Sequence, residues 1–343
     1  MKALVLESYN NLVVRDVPVP EPGPQEVLIR VKSAAICGSD VHGYDGTTGR
    51  RIPPVIMGHE ASGRIERTGS GVSRWQSGDR VTFDSTIYRL DDWYTLRGLY
   101  NLGEGRRVLG VSCDEYRQNG AFAEYLIVPQ HILYALPEGL SFDHAALTEP
   151  LAVALHAVAL TPIEIGETVA VIGAGVIGLM VTAALRQRGC AHIVVSDVVE
   201  ERLALAREMG ATGTVNPASA TLAEACREYT AGRGADHVID AVGLQATVDS
   251  GIEALRRGGT LTMVGNIARE LNIPLQRIVA GQMRIQGSCA IRGEYPAALN
   301  MMATGAIPLE KMISVTGTLE DAPAIFRRLH DGEAGLIKAI LHP

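Results

Sequence analysis

The chain has 343 residues, of which 47% are hydrophobic and 20% charged, a composition typical of a globular protein long enough for two domains. A formal net charge of −7 argues against a nucleic-acid partner, because phosphate binding needs a basic face. No apolar run is long enough to span a bilayer and MKALVLESYN lacks the pattern of a signal peptide, so the sequence predicts a cytoplasmic protein without a membrane partner.

The first part of the chain predicts β structure. Short apolar runs separated by Gly- and Pro-rich turn signals are expected to be strands: KALVLE, EVLIRVKSAAI, SGRIERTG and RVTFD. Strands that follow one another without intervening helices favour an antiparallel or barrel-like core.

From about residue 150, strand and helix patterns alternate. TVAVIGA, HIVVSD and HVIDAVG are each followed by a helical pattern, which predicts βαβ units and a doubly wound parallel sheet. After about residue 288 the alternation stops, and two helices and a final strand, GLIKAILHP, are expected. The sequence therefore predicts an α/β protein with one domain formed by 1–151 and 289–343 and a second formed by 152–288.

A dinucleotide site is predicted at the start of the alternating region. VAVIGAGVIGL contains a G-x-G-x-x-G pattern between a strand and a helix, the context in which its backbone binds a pyrophosphate. Five residues are assigned to this contact: Gly173, Gly175, Val176, Ile177 and Gly178. Asp197 ends the next strand, about 20 residues on, where a carboxylate accepts hydrogen bonds from the adenosine ribose and repels a 2′-phosphate. The sequence thus predicts NAD, flanked by Arg202, although Asp197 is also explained as a helix cap.

Two stretches of the first part contain candidate metal ligands. AAICGSDVHGY and PPVIMGHEASGRIERTGSGV provide Cys37, His59 and Glu60. A thiolate, an imidazole and a carboxylate suit a tetrahedral zinc ion that keeps one position open. Spacing alone does not establish the site, because a single Cys or a single His is more often a core residue.

These stretches resemble the zinc-containing alcohol dehydrogenases of the medium-chain dehydrogenase/reductase superfamily. From Gly58 to Val72 the chain reads GHE-two-Gly-five-Gly-two-Val, the family signature, and the segment after Cys37 matches C-x-[ST]-D-x-H. TEPLAVALHAV and GEYPAALNMMATGAI are most similar to the sorbitol (L-iditol) dehydrogenase branch, which acts on polyols and related sugar acids. The resemblance implies a GroES-like β-rich catalytic domain, a Rossmann NAD-binding domain, a small-molecule alcohol substrate, and a dimeric or tetrameric homo-oligomer.

The resemblance also implies a zinc site with named residues. Cys37 and His59 would bind the ion. Glu60 and Glu149 are the carboxylates that would complete the site, as ligands or through water, and the sequence leaves open which of them does. Asp40 would bond the second ring nitrogen of His59 and fix its tautomer.

A proton path and further cofactor contacts follow from the same resemblance. Ser39 would take the proton of the substrate alcohol and pass it through the nicotinamide ribose to His42. Lys338 lies where a basic residue meets the pyrophosphate, or is an ordinary surface lysine. Residues that line the nicotinamide amide in the family correspond to Val264, Gly265 and Cys289.

The segment 87–110 departs from the family, which usually has four zinc-binding thiolates there. It contains no cysteine, and alignment on Tyr88 places other residues at those positions: Arg89, Asp92, Thr95 and Gly103. The sequence therefore predicts one catalytic zinc ion per chain and no structural zinc. Apolar side chains are expected to anchor the segment instead: Trp93, Tyr94, Leu96, Leu99, Tyr100 and Leu102. A local Arg89–Asp92 ion pair, worth little if exposed, is a further candidate contact.

Two other functions were weighed on the same fold. A zinc-free NADPH-dependent reductase of quinones or enones would lack the Cys and His ligands and the acidic Asp197. A NAD-binding protein without catalysis would have no need of the Ser39, Asp40 and His42 relay. In place of a substrate arginine found in animal-type sorbitol dehydrogenases the chain has Ala290, and Arg292 is either a substitute or a solvated charge.

Overall fold

The computed structural model describes residues 1–343, which form two compact units. Unit 1 contains Met1–Glu149, Ile291–Gly305 and Leu309–Pro343, and unit 2 contains Pro150–Ala290 with Ala306–Pro308. Each main division lies two residues from the one expected, and only 306–308 belong to the other unit. None of the helices has the length and apolar character needed to cross a bilayer.

The N-terminal stretch of unit 1 contains ten strands and two short helices. The strands are β1 (Lys2–Ser8), β2 (Asn11–Asp16), β3 (Glu26–Ile36), β4 (Val55–Ile56), β5 (Glu60–Thr68), β6 (Arg80–Phe83), β7 (Thr86–Ile87), β8 (Arg107–Val108), β9 (Tyr125–Pro129) and β10 (Leu133–Ala135). The helices are α1 (Gly38–Tyr44) and α2 (Phe142–Ala146).

The rest of the chain alternates strands and helices before returning to unit 1. In chain order these elements are α3 (Thr148–Leu160), β11 (Thr168–Ile172), α4 (Val176–Arg188), β12 (His192–Ser196), α5 (Glu200–Glu208), β13 (Gly213–Val215), α6 (Leu222–Tyr229), β14 (Ala235–Asp240), α7 (Gln245–Ala254), β15 (Leu255–Met263), α8 (Leu275–Gly281), β16 (Arg284–Gly287), α9 (Tyr295–Ala303), β17 (Ile313–Thr318), α10 (Ala322–His330) and β18 (Lys338–His342).

The main sheet of unit 1 has the order β10-β6-β5-β3-β18-β17, and β9 also pairs with β3. All of its pairings are antiparallel except β17 with β18. Strand β3 lies at its centre and is mostly buried, which explains its high apolar content. Its pairing with β5 and β18 decides which distant residues meet at its C-terminal end.

The sheet of unit 2 is parallel, with the order β13-β12-β11-β14-β15-β16. Strand order reverses beside β11, and ligands of doubly wound sheets bind where the order reverses, beyond the strands' carboxyl ends. All five residues of β11 are buried, as expected for a strand covered on both faces. The predicted α/β architecture is confirmed in both units.

The cysteine-free segment is organised by Asp92. Its carboxylate accepts hydrogen bonds from the backbone of Tyr94 (2.8 Å), Thr95 (3.1 Å) and Glu104 (3.2 Å), and so joins both ends of the segment. The expected Arg89–Asp92 pair is wrong, because Arg89 bonds Asp91 instead through Nε (3.1 Å) and Nη2 (3.0 Å). Both partners are exposed, so this pair adds little stability.

Tyr100 anchors the segment to the core of unit 1. Its hydroxyl donates to Asp84 Oδ2 at 2.8 Å and accepts from the backbone N–H of Gly293 at 2.7 Å, while its ring stacks on Tyr88. Leu96 and two other expected anchors, Trp93 and Leu102, are exposed and do not serve that purpose. Tyr100 therefore anchors the segment through ring stacking as well as a polar contact with a buried carboxyl group, and the expected anchors Tyr94 and Leu99 are half-buried.

We expect Tyr100→Phe to lower the free energy of unfolding by about 1–3 kcal/mol, because it removes a donor to a buried carboxyl group and an acceptor for a backbone N–H. Urea denaturation would measure the change. Leu96→Ala is the matched control, because Leu96 is 70% exposed and its truncation should change stability by less than about 0.5 kcal/mol. Equal effects of the two substitutions would refute the anchor.

Asp84 should make stability depend on pH. Burial raises its pKa from 3.8 to about 6 despite hydrogen bonds from Thr86 and Tyr100. The folded protein therefore binds this proton more tightly than the unfolded chain, and the contribution of Asp84 to stability falls as pH rises from about 4 to 7, by on the order of 3 kcal/mol. In Asp84→Asn that contribution is absent, so the variant's stability relative to the unmodified protein should improve with rising pH. A pH-independent difference between their urea curves would contradict this assignment.

Candidate functional site

Strand pairing brings the predicted metal ligands together. Strands β3 and β5 run antiparallel with Ala35 opposite Glu60, so Cys37, just past the end of β3, lies beside the residues that begin β5. Gly58 sets the approach of His59, since its φ is +94° and a Cβ there would lie 2.6 Å from the ring of Phe122. The fold thus juxtaposes two segments that the sequence separates by about twenty residues.

The side chains of Cys37, His59 and Glu60 form one cluster. Their ligand atoms all lie within 4.8 Å of one another, His59 is buried and Glu60 is fully buried. Glu60 Oε1 has no hydrogen-bond partner. A buried carboxylate oxygen without a partner beside a thiol and an imidazole is the donor set that a zinc ion would satisfy.

Charge balance in this cluster also favours a cation. Burial lowers the pKa of His59, but the charges of Asp40 and Cys37 outweigh it and raise the pKa well above its ordinary value. The imidazole therefore lies among negative groups, whose charge a divalent cation would offset, so the residues present fit the metal.

Lys338 is part of this cluster. Strand β18 pairs with β3, with Ala339 opposite Ile36, which brings Lys338 to the metal-site end of β3. Its side chain is 2% exposed and its Nζ forms an ion pair with Glu60 Oε2. Burial lowers its pKa, but the charges of Glu60 and Cys37 raise it above the usual value, so it remains a cation. The surface-lysine interpretation is wrong, and the pyrophosphate contact stays a prediction.

Glu149 lies outside the group of three close ligand atoms. It sits in the first turn of α3, and Ser85 Oγ donates to its Oε1 at 3.0 Å. Burial raises its pKa. Ser85 was not identified from the sequence, because nothing in FDSTIY signals a partner 64 residues away.

Asp40 faces the ring of His59, whose Nδ1 has no hydrogen-bond partner in this structure. It is fully buried, and its Oδ1 lies 3.5 Å from His59 Nδ1, the nitrogen expected to face away from the metal. The same oxygen accepts from Arg51 Nη2 at 2.9 Å. Burial raises the pKa of Asp40, but the charges of His59 and Arg51 hold it well below its usual range. Arg51 was not identified from the sequence.

The two proton-path residues lie on α1. Ser39 and His42 are both exposed and, three residues apart, share one face of the helix. Their placement agrees with a route toward solvent, and the relay itself stays a prediction. Arg292 is exposed, and its backbone N–H donates to Glu294 at 2.5 Å.

The Gly-rich loop of unit 2 has the geometry expected of a dinucleotide site. Gly173 has φ +90°, and a Cβ on Gly178 would lie 1.7 Å from the carbonyl oxygen of Gly173, so only glycine allows α4 to start this close to β11. Asp197 accepts from the backbone N–H of Ala174 at 2.6 Å and of Val199 at 2.9 Å. The N-cap of α5 is Val199, so Asp197 does not have the alternative role of helix N-cap.

The remaining residues predicted to contact the cofactor are also in unit 2. Arg202 is half-buried on α5, and Cys289 is half-buried after β16. The N–H groups of Val264 and Gly265 both donate to the carbonyl oxygen of Asp240, at 2.9 and 3.0 Å. Only their carbonyl groups are therefore available to a nicotinamide amide.

Comparison with known proteins agrees with this geometry. Residues 23–138 match the alcohol dehydrogenase GroES-like domain, and residues 176–304 match the zinc-binding dehydrogenase family. Sorbitol dehydrogenase of Bacillus subtilis is 32% identical over 349 residues, covering 100% of this chain and 97% of that protein. The chain belongs to the zinc-type alcohol dehydrogenase family. D-xylulose reductase A of Aspergillus oryzae is 32% identical over 340 residues, or 96% of this chain and 94% of that protein.

Solved structures support the same membership. A protein from Sinorhizobium meliloti 1021, crystallised with NADP, superposes with a TM-score of 0.92 at 34% identity and covers 100% of this chain and 99% of that one. As a zinc-type alcohol dehydrogenase, the protein is an oxidoreductase that uses zinc and a nicotinamide cofactor. The family match confirms the resemblance found in the sequence.

Gly178→Ala should weaken NADH binding at least tenfold, because the added methyl group would overlap the carbonyl oxygen of Gly173 and push α4 away from the loop. Fluorescence titration with NADH would measure it. Gly287→Ala is the control, since a Cβ there meets nothing within 4 Å. The loop assignment would fail if both variants bound NADH like the unmodified protein.

Proposed function

We propose that this protein transfers hydride between NAD and a secondary alcohol of a polyol or sugar-derived substrate. The observation that carries the proposal is the convergence of the Cys37, His59 and Glu60 ligand atoms in unit 1. Relatives named sorbitol dehydrogenase and D-xylulose reductase favour the polyol class. Unit 1 would be the catalytic domain and unit 2 the NAD-binding domain.

Cys37 and His59 would hold zinc, with Glu60 or Glu149 as the exchangeable carboxylate. Zinc bound there supplies a Lewis acid that stabilises the alkoxide form of an alcohol near neutral pH, and the nicotinamide ring supplies the redox chemistry. Asp40 would keep His59 in one tautomer by facing its Nδ1. Lys338, paired with Glu60, would hold that carboxylate when it is not a ligand.

Proton transfer would be the task of α1. Ser39 would accept the proton of the alcohol and His42, on the same face and exposed, would release it to solvent. The non-catalytic NAD-binding alternative has no comparable use for this arrangement.

NAD is proposed over NADP because of Asp197. One of its oxygens already accepts from Ala174 N, which fixes the carboxylate beside the glycine-rich loop. A fixed negative charge there would repel a 2′-phosphate, although the Sinorhizobium relative carries NADP. The loop residues and Arg202 would complete the cofactor contacts, and a dimer or tetramer is the expected assembly.

The decisive experiment combines metal analysis with a screen of NAD and NADP reduction on sorbitol, galactitol, iditol, threonine, inositols and aldonic acids. We expect one zinc ion per chain and NADH formation with a polyol or sugar acid. Cys37→Ser should lose both the zinc and at least 100-fold in kcat/KM, as expected when a ligand is removed.

Cys113→Ser is the matched control, because this half-buried thiol of unit 1 bonds only Glu115 at 2.9 Å and lies outside the cluster. It should retain zinc and activity. Full activity in Cys37→Ser would disprove the metal assignment, and zinc-bound protein inert toward every alcohol would disprove the substrate class.

A further inference from the structure

Arg51 is a buried arginine whose backbone, methylene chain and guanidinium group are all held by contacts. Its side chain is 3% exposed. The residues on both sides of it are tied to Ser112: the N–H of Ile52 donates to Ser112 O at 3.0 Å, and the N–H of Ser112 donates to Arg50 O at 3.3 Å. Ser112 Oγ adds a bond to Ile52 O at 2.5 Å. The backbone that carries Arg51 therefore has little freedom.

The methylene chain of Arg51 packs against Gly43, where any larger residue would overlap it. A Cβ on Gly43 would lie 2.2 Å from Arg51 Cγ and 3.1 Å from its Cβ. Gly43 follows Asp40 by three residues and Ser39 by four, so all three belong to one face of α1. Arg51 lies across that face and reaches the two side chains one turn away.

The guanidinium group of Arg51 contacts the side chains of Asp40 and Ser39. Nη2 donates to Asp40 Oδ1 at 2.9 Å and lies 3.4 Å from Ser39 Oγ, and Nη1 donates to the carbonyl oxygen of Arg50 at 3.0 Å. Asp40 Oδ1 is the same oxygen that faces His59 Nδ1, and Asp40 Oδ2 accepts from Cys37 N at 3.3 Å. One carboxylate thus connects the arginine to the segments that carry both ligands.

We propose that Arg51 is a positioning residue of the metal site. Arg51 holds the Asp40 carboxylate against His59, and it also holds Ser39 in its place on α1. The proposal rests on the proposed function, because it needs Cys37 and His59 to be metal ligands. Carboxylates behind a histidine ligand fix its ring orientation, and their loss typically costs 10- to 100-fold in metal affinity. Here the carboxylate is itself held by a buried cation, so loss of that cation should have an effect of the same kind.

Arg51→Gln should weaken zinc binding by roughly 10- to 100-fold, measured by competition with a chromophoric chelator in the absence of NAD and alcohol. The visible spectrum of the Co²⁺-substituted protein should also change, because the His59 ring is no longer held in one orientation. Arg51→Lys should restore part of the affinity, since an ammonium group keeps the charge but lacks the planar fork. Arg50→Gln, at the exposed neighbouring arginine, should change neither property.

A mutant cycle tests whether Arg51 acts through Asp40. In an Asp40→Asn background, Arg51→Gln should weaken zinc binding less than threefold further, because the group it positions is already changed. Gly43→Ala, which displaces the methylene chain of Arg51, should reproduce the loss and keeps the proposal testable if Arg51→Gln does not fold.

The outcomes separate the two proposals. If the unmodified protein binds no zinc, the proposed function fails. If it binds zinc and Arg51→Gln or Gly43→Ala binds as tightly with an unchanged Co²⁺ spectrum, only the role of Arg51 is overturned. A merely structural role would lower the melting temperature of the metal-free protein and leave the zinc affinity and the spectrum unchanged.

Discussion

The need to compensate buried charge determines the arrangement of the metal site. An ionised group removed from water costs several kcal/mol unless a partner of opposite charge is close. Around Cys37 the partners come in pairs, Lys338 with Glu60 and Arg51 with Asp40, and His59 lies between the two carboxylates. Each pair joins residues far apart in the chain, so the site depends on the pairing of β3 with β5 and β18.

This arrangement leaves one place for an added cation. Lys338 satisfies one oxygen of Glu60 and leaves the other without a hydrogen-bond partner, while Arg51 satisfies Asp40 on the side away from Cys37. The two protein cations therefore balance the supporting carboxylates and leave the thiol, the imidazole and one carboxylate oxygen for a metal. Removing either cation would leave a buried carboxylate without a partner of opposite charge. That is more destabilising than replacing both members of the pair with apolar residues.

The sequence predicted the features that depend on local pattern. Alternating strand and helix signals located the parallel sheet, and the glycine spacing located the loop before α4. It did not reveal Lys338 and Arg51 beside the metal cluster, or Ser85 as the partner of Glu149. A lysine in GLIKAIL, for example, looks like any surface lysine until β18 is seen beside β3. The Arg89–Asp92 pair failed for a related reason: backbone N–H groups compete for Asp92, and Asp91 is left to bind the arginine.

The cysteine-free segment and Glu149 are each hydrogen-bonded to one of two adjacent residues. Asp84 accepts the Tyr100 hydroxyl that anchors the segment, and Ser85 donates to Glu149, one of the candidate carboxylates. This dipeptide forms the turn between β6 and β7, so a shift of its backbone affects both contacts. A structural zinc would brace the segment through its own ligands, whereas the Tyr100 anchor braces it through the backbone that also positions Glu149. Order in the cysteine-free segment is thus tied to the position of Glu149, one of the candidate carboxylates.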